Sequence, residues 1–338
     1  MGQPTIRQVA ERAGVSTALV SLVMRDAPNV SDHRRALVLE AAEELGYRPN
    51  VLARNLASHR TRTVGVVLND LHNPFFAETV DGIESAADGA GYRILLGSAR
   101  RSPRGEARAV ETMLELRVDG LVLTGSRMPT ADIERAAASA AVVVVGRTTR
   151  SKLVDTVNND ERIGARLAVD HLVALGHRAI AHVSGGAGAG AAARRRGYES
   201  AMRAHGLADE ISVAGGDFSE EGGYAAAGVL LAVGPHPTAI FAANDQSAAG
   251  VLDRVEDAGM RAPDDVSIVG YDNTALAAMH HMSLTTVDQP RATLGRIAIQ
   301  LLLERLDNSR LDPIHHVVAP SLVVRSSSGP PHTNGVRP

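Results

Sequence analysis

The chain has 338 residues, 44% of them apolar, and no cysteine. This length and composition suffice for two or three domains with separate cores, and the missing cysteines exclude disulfides, thiolate nucleophiles and cysteine-ligated metals. The net charge of −3 is unevenly divided, because residues 1–63 hold 9 basic against 6 acidic residues and the remainder holds 26 against 32. A basic head on an acidic body favours a polyanionic partner for the head alone.

Residues 4–46 predict three short helices. Thr5-Ile6-Arg7-Gln8 has the form of a capping box, which begins the first helix, and Gly14 ends it. Ser16 is placed to cap a second helix, in which Val20 and Val23 face inward. The outward-facing positions of the second helix are then Thr17, Ala18, Ser21 and Leu22.

The third helix follows Ser31 as its N-cap and ends before Gly46, a residue suited to the left-handed conformation past a helix end. Helix-turn-helix spacing is a loose pattern, so on spacing alone a three-helix bundle of any purpose is the alternative. The apolar stripe of the third helix consists of Leu37, Val38, Ala41, Ala42 and Leu45.

A basic segment, residues 47–63, joins the head to the rest of the chain. It carries four arginines, one histidine and no acidic residue. Asn50 is placed to cap a short helical run in which Leu52 and Leu56 share one face. Isolated helices shorter than about 12 residues are marginal in water, so this hinge helix needs a partner in order to fold.

The residues from Thr5 to Leu56 resemble the DNA-binding head and hinge of the lactose-repressor family of bacterial transcription regulators. The resemblance is carried by VAERAGVSTALVS and by VSDHRRALVLEAAEELGYRPNVLARNLA. It implies that the second helix enters the major groove and that two hinge helices pair in the minor groove, where Leu56 wedges into a base step. The DNA-binding residues implied are Thr5, Ser16, Thr17, Ala18, Ser21, Leu22, Asn29, Ser31, Asn50, Ala53, Arg54 and Leu56.

Two positions depart from the family's pattern. Leu22 stands where a polar or basic residue is common, and a leucine packs on thymine methyl groups but makes no bidentate bond to guanine. Leu19 stands where threonine is common. The operator sequence therefore cannot be transferred from a relative.

From residue 63 onward, short apolar runs alternate with amphipathic segments, as in parallel strands joined by crossover helices. The pattern begins again after Asn158, which predicts two similar lobes with a ligand cleft at the carboxyl ends of their strands. The body of the family resembles periplasmic sugar-binding proteins and crosses between its lobes three times. The resemblance implies crossings near Asn158, Asp288 and Pro320.

The predicted fold class is an all-α helix-turn-helix DNA-binding head with a hinge helix, followed by a two-lobed, doubly wound α/β body like that of periplasmic binding proteins. The last residues lack apolar periodicity, which predicts disorder. The expected segments are the head, 1–48; the hinge, 49–62; an N-lobe near 63–158 and 289–319; a C-lobe near 159–288 and 320–328; and a disordered tail, 329–338.

Aromatic and polar residues after the predicted strands are candidates for an effector site. Phe75 and Phe76 either pack under the first helix of the body or, as the resemblance implies, form an aromatic wall for a sugar ring or base. Arg194 is a candidate because it matches an arginine that binds the effector in the family. Carboxylates and amides at strand ends suit sugar hydroxyls. Gly146-Arg147 replaces an aspartate common in relatives, which favours an anionic effector and weak binding of neutral sugars. The candidate effector-binding residues are Asn69, Asp70, Phe75, Phe76, Arg147, Arg194, Phe241, Asn244, Asp245 and Asp272.

Two other classes of protein remain as alternatives. Residues 186–191 fit a relaxed dinucleotide-binding loop, but no acidic residue ends the next strand at the usual distance, and Asp217 comes late. The body alone also fits a sugar-binding protein without a DNA role, against which the intact head argues. The chain lacks a G-x-S-x-G elbow, and its adjacent histidine pairs are unsuited to a metal, so we predict no enzyme, cofactor or metal site.

These observations predict a homodimeric repressor that binds a near-palindromic operator, because a twofold protein requires twofold DNA. A small metabolite, a sugar or sugar derivative, is expected to bind between the lobes and to change operator affinity by linkage. Both signs of that linkage, release and promotion of DNA binding, remain open. No apolar run is long enough to span a bilayer, and no secretory leader is seen, so we expect a cytoplasmic protein with no membrane partner.

Overall fold

The computed structural model describes residues 4–47, 60–232, 234 and 236–332. They divide into two compact units, a head that ends at Thr61 and a body that begins at Arg62. The predicted hinge residues Asn50, Ala53, Arg54 and Leu56 lie outside the described part of the chain. None of the described helices is long and apolar enough to cross a membrane.

The head contains helices α1 Ile6–Ala13, α2 Thr17–Val23 and α3 Asp32–Glu44. Leu37 and Leu45, predicted to face the core, are each at least 36% exposed. They lie at the margins of the α3 stripe, and the smaller residues between them fill the interior, so the buried face is narrower than the apolar pattern. The core of the head consists of Val9, Ala10, Val20, Val23, Val30, Val38, Ala41 and Ala42.

The N-lobe of the body is built on a parallel six-stranded sheet with the strand order β11-β5-β4-β3-β1-β2. Val64 and Val66 of its first strand face one apolar core, while Val67 faces a second core across the sheet, as the alternation of a strand requires. Its first elements are β1 Thr63–Leu68, α4 Pro74–Gly89, β2 Arg93–Ser98, α5 Pro103–Glu115, β3 Gly120–Thr124, α6 Thr130–Ala137, β4 Ala141–Val145 and β5 Asp155–Asn159.

The C-lobe has a second six-stranded sheet with the order β12-β10-β9-β8-β6-β7, in which only β12 runs antiparallel to its neighbour. Two cores again lie on opposite faces, so both lobes are doubly wound. Its elements are α7 Glu161–Ala174, β6 Ile180–Val183, α8 Ala191–Ala204, a short 3-10 helix Ala208–Glu210, β7 Ser212–Ala214, α9 Glu220–Ala232, β8 Ala239–Ala242, α10 Asp245–Asp257, β9 Ser267–Asp272 and β10 Thr285–Asp288.

The chain then returns to the N-lobe through α11 Arg291–Leu306 and β11 His315–Val318, and β12 Ser321–Val323 completes the C-lobe sheet. The three crossings therefore lie between the end of one element and the start of the next, at Asp160, at residues 289–290 and at residues 319–320. The crossings inferred from the resemblance lie within two residues of these positions. The polar strand β5 was not predicted, because DTVNN has no apolar run.

The prediction that disorder begins at residue 329 is wrong for residues 329–332. The carbonyl of Gly329 accepts a hydrogen bond from the buried His177 ring at 2.8 Å, and the Gly329 N–H donates to the Ser267 hydroxyl at 3.0 Å. Just before it, the Ser327 hydroxyl donates to the Ile268 carbonyl at 2.7 Å. Hydrogen bonds to β9 and to His177, which precedes β6, thus hold a segment that has no apolar periodicity.

Candidate DNA-binding surface and effector cavity

The local geometry of the head presents one face of α2. The Thr5 hydroxyl and the Gln8 side chain form both bonds of the capping box, and Gly14 adopts φ 67° past the end of α1. The Ser16 hydroxyl accepts a bond from the Leu19 N–H at 3.2 Å, which starts α2. The helix-turn-helix geometry predicted from the cap residues is therefore present.

The outward face of α2 carries the predicted base-reading residues. Thr17, Ala18 and Leu22 are exposed and Ser21 is half-buried, with Leu22 39% exposed. Leu19, in contrast, packs against the core of the head. The face of α2 is thus free to lie against a partner, and it ends in an apolar side chain.

The predicted phosphate-contacting residues of the head are also accessible. Asn29 and Ser31 are both exposed. Ser31 occupies the N-cap position of α3, but its side chain makes no capping hydrogen bond, so its hydroxyl is available to a phosphate oxygen.

In the body, a cavity of about 370 Å³ lies between the lobes, at the carboxyl ends of their strands. This size falls at the low end of the roughly 300–1,000 Å³ of small-molecule sites. Of the ten predicted effector residues, seven line it: Asn69, Asp70, Phe75, Phe76, Arg194, Asn244 and Asp272.

Aromatic rings form the N-lobe wall of the effector cavity. Phe75 and Phe76 begin α4 and meet edge to face, with ring centroids 5.2 Å apart. Asn73 caps this helix by accepting from the Phe75 N–H at 3.0 Å. A Cβ added to Gly125, which has φ 63°, would lie 2.7 Å from the Phe76 ring. Glycine at that position therefore lets the ring close the wall.

The C-lobe wall is dominated by a buried cation. Arg194 is 3% exposed, and its Nε and Nη2 donate to one carboxylate oxygen of Glu161 at 2.9 and 2.7 Å. Its guanidinium lies 3.5 Å from the centroid of the Tyr271 ring and 5.5 Å from that of Phe218. Burial lowers the pKa of Arg194, but its acidic neighbours, Glu161 foremost, together outweigh burial and raise that pKa. The arginine is therefore charged and held rigidly.

Asp272 brings a carboxyl group to the same wall on a strained backbone, with φ 111°. Gln289 donates to its Oδ1 at 2.5 Å, and the Arg291 guanidinium holds its carbonyl. Burial raises the pKa of Asp272 well above its usual value, against the lowering effect of Arg194. A carboxyl group accepts hydrogen bonds when ionised and can also donate one when protonated, and both suit the hydroxyls of a polyol.

One ion pair connects the lobes across the mouth of the effector cavity. Arg101, after β2, donates from Nη2 to Asp217 Oδ2 at 2.7 Å and to the Asp217 carbonyl at 2.6 Å. Arg127, after β3, donates to the Arg101 carbonyl at 2.9 Å and has no acidic partner among the described residues. Within the described part of the chain, two arginines of the cavity are therefore paired with carboxylates and the third, Arg127, is not.

The other three predicted effector residues do not line this cavity. Phe241 is fully buried and stacks on His182 at 4.9 Å, because its side chain lies on the face of β8 that packs against α7 and α8. Asp245 accepts hydrogen bonds from the Thr274 N–H and the Thr286 hydroxyl at 2.7 and 2.5 Å. These two placements are corrections to the predicted site.

Arg147, the third of these residues, also lies outside the effector cavity. Its guanidinium donates to the carbonyl oxygens of Ser126 and Met128 and to the Thr130 hydroxyl. It is therefore directed away from the effector cavity and lines a neighbouring one. Arg147 therefore does not disfavour neutral sugars in the effector cavity.

Several residues that line the effector cavity were not predicted from the sequence. They include Arg101, Arg127, Glu161, Asp217, Phe218 and Gln289. Arg101, Arg127, Asp217 and Phe218 follow the carboxyl ends of β2, β3 and β7, the position that parallel sheets use for ligands, so this rule applied to every predicted strand would have found them. Glu161 follows β5, whose polar sequence predicted no strand. The glycine loop 185–189 also lines the effector cavity, but Asp217, the acid considered for a dinucleotide, pairs with Arg101.

A helix-turn-helix head and a two-lobed body with a ligand cavity define a ligand-responsive DNA-binding regulator. The head, residues 5–50, matches the model of bacterial regulatory proteins of the lacI family, and residues 169–328 match the periplasmic binding protein-like domain. The chain is 36% identical to catabolite control protein A of Priestia megaterium, over 91% of this chain and 94% of that protein. It belongs to the lacI family, as the resemblance predicted.

Solved structures agree with this assignment. The lac repressor dimer bound to operator and the anti-inducer ONPF superposes with a TM-score of 0.87 at 29% identity, over 97% of this chain and all of that one. The transcriptional regulator CelR in complex with cellobiose superposes with a TM-score of 0.72 at 31% identity, over 96% of this chain and all of that one. The chain is a DNA-binding transcriptional repressor and not an enzyme.

Proposed function

We propose that this repressor binds a near-palindromic operator as a homodimer in the cytoplasm, where that DNA lies, and that a sugar or sugar derivative in the effector cavity controls its affinity. The observation that carries the proposal is the composition of the cavity. An aromatic wall on the N-lobe faces a carboxyl, an amide and a fixed guanidinium on the C-lobe.

This composition suits a sugar ring. The apolar face of a pyranose or furanose packs on phenylalanine rings, while its hydroxyls need groups that donate and accept. Asp272, Asn244 and Arg194 supply these on one side. The volume of about 370 Å³ fits a small metabolite rather than a long oligosaccharide. The cellobiose complex of CelR shows that a relative of this architecture accepts a sugar.

Exposed apolar side chains on the body support self-association. Leu96 lies on β2, the edge strand of the N-lobe sheet, and is 47% exposed. The C-lobe exposes Val229 on α9 and Met279 before β10. Edge strands and exposed apolar groups are common sites of pairing between chains. A twofold dimer then offers two copies of α2 to two half-sites.

The head sets the expected character of the half-site. Leu22 favours a base pair with a thymine methyl group over guanine, whereas Thr17 and Ser21 donate to or accept from either. In the hinge, Leu56 is proposed as the residue that wedges into the central base step. A helix that is marginal in water orders on DNA, which makes its formation sensitive to the state of the body.

The test is selection of bound sequences from random DNA by the full-length protein, with and without a panel of neutral sugars and sugar phosphates. We expect enrichment of a twofold-symmetric site with A·T pairs at the positions that face Leu22. We also expect at least one sugar to change recovery of that site, in either direction. Enrichment of sites without twofold symmetry would overturn the dimeric mode, and indifference to every sugar would overturn the effector class.

A further inference from the structure

A second cavity, of about 380 Å³, adjoins the effector cavity and shares Gly146, Glu161 and Gly188 with it. It lies beside the first lobe crossing. The N-lobe contributes the ends of β4 and β5, and the C-lobe contributes the first turn of α8. Any molecule bound there contacts both lobes.

Three arginines border the second cavity. Among the described residues Arg147 donates only to carbonyl and hydroxyl oxygens, so none of their carboxylates neutralises it. Arg162 and Arg196 are exposed and form no ion pair within the described parts of the chain. Guanidinium groups with free donors are the usual protein ligands of phosphate and carboxylate groups.

Two acidic residues also line the cavity, and both are already engaged. Glu161 pairs with the buried Arg194 at 2.7 Å. Asp160 caps α7 by accepting from the N–H groups of Arg162 and Ile163 at 3.1 and 3.0 Å. With Glu161 balanced by Arg194, three guanidinium groups face one carboxylate, and the second cavity carries an excess of positive charge.

The first turn of α8 adds one free backbone donor. The helix begins after Gly190, which has φ 79°, with no side-chain cap and no acidic residue in its first turn. The Ala192 N–H has no acceptor among the described residues. A 14-residue helix also presents the positive end of its dipole here.

A buried side-chain amide of the N-lobe also faces the second cavity without a hydrogen-bond partner in the described structure. Asn158, at the end of β5, lines the cavity and is 5% exposed. Its Nδ2 is buried without a hydrogen-bond partner in the described structure. A buried donor without a partner is unfavourable, and an oxygen atom of a ligand in the cavity would supply its missing hydrogen bond.

We propose that the second cavity is a binding site for a phosphate group, held by Arg147, Arg162, Arg196 and Asn158 against the first turn of α8. The phosphate is either a free anion or a substituent of the effector whose sugar ring lies in the adjoining cavity; only this second source rests on the proposed function. Because both lobes contribute ligands, the bound anion stabilises the lobe arrangement seen here.

The experiment is titration calorimetry of the full-length protein with inorganic phosphate, in the absence of DNA. Arg196→Ala should weaken phosphate binding about tenfold, since it removes a charged hydrogen-bond donor. The matched control is Arg195→Ala, the neighbouring exposed arginine of α8, which pairs with Glu199 and does not line the cavity. Asn158→Asp, which places a negative charge in the site, should abolish binding, with thermal unfolding checking that this variant folds.

Equal weakening by Arg195→Ala and Arg196→Ala would show a diffuse charge effect and overturn the proposal, as would the absence of phosphate binding to the wild type. A panel of sugar phosphates, each beside its unphosphorylated parent, separates the two sources. If the phosphate is part of the effector, a sugar phosphate binds more tightly than both its parent and inorganic phosphate. If the anion is free, no such gain appears and inorganic phosphate still binds. Neither result depends on operator binding, so the proposed function stands or fails separately.

Discussion

The buried pair Glu161–Arg194 gives the sharpest test of how the effector cavity is built. The two side chains are only 13% and 4% exposed and lie 2.7 Å apart. Glu161→Gln keeps the shape of the side chain but leaves the guanidinium without its counter-charge. Removing one partner of a buried ion pair lowers the free energy of unfolding by about 3–5 kcal/mol. The lower end applies here, because the glutamine oxygen still accepts a hydrogen bond.

A loss of about 3 kcal/mol corresponds to a fall in Tm of roughly 6–12 °C for a domain of this size. Glu199→Gln is the matched control, since Glu199 pairs with Arg195, which is 54% exposed. Such surface pairs contribute about 0–1 kcal/mol. The assay is thermal unfolding of the full-length protein, followed by circular dichroism at neutral pH.

The double variant Glu161→Gln with Arg194→Met distinguishes an unpaired charge from lost packing. It removes both charges and replaces the guanidinium stem with a flexible apolar side chain. We expect it to be more stable than Glu161→Gln alone. A double variant at least as unstable as that single one, or a Glu161→Gln protein indistinguishable from Glu199→Gln, would refute the reasoning.

Three further outcomes are expected. Leu56→Ala should weaken binding to the selected operator much more than binding to random DNA; a gel-shift titration with equal losses on both would contradict the wedge role. Gly125→Ala should cost about 1–2 kcal/mol of backbone strain and also weaken sugar binding by displacing Phe76. Its control, Gly206→Ala, has φ 73° with no atom near the added Cβ, and should cost similar stability while leaving calorimetric sugar affinity intact. Burial would raise the pKa of Asp155, but hydrogen bonds from Arg310, Arg305 and the Ile314 N–H lower it. The ionised Asp155 therefore stabilises the folded protein above the pKa of the unfolded chain, about pH 4. This stabilisation is lost as the pH falls through the lower pKa of the folded protein. Acid unfolding of Asp155→Asn should therefore show a weaker pH dependence below about pH 4 than the wild type, and parallel curves would contradict this.

Local features of the sequence predicted the head with its caps. Thr5, Ser16 and Gly14 act within three or four residues of themselves, so their hydrogen bonds and backbone conformations follow from short-range spacing. The apolar strands of both lobes were predicted for a similar reason, since a buried parallel strand reads as a continuous apolar run. The family and its DNA-binding function followed from the same stretches.

Strand β5 and the tail were not predictable in this way. Residues 155–159 are polar, and Asp155 is buried only because Arg305 and Arg310 come from more than a hundred residues away to pair with it. The tail residue Gly329 is held by Ser267 and His177. Long-range polar partners leave no periodic signal at either end.

In the effector cavity, too, the sequence predicted some features and left others to the tertiary structure. The sequence located the strand ends, and with them Phe75, Phe76, Asn244 and Asp272, because ligands bind at the carboxyl ends of parallel strands. It did not show that Arg147 is directed toward the Met128 carbonyl. Nor could it pair Arg101 with Asp217, which lie 116 residues apart on different lobes. Side-chain direction and cross-lobe pairing depend on how two separately folded sheets meet, and that geometry is encoded in no local stretch of the chain.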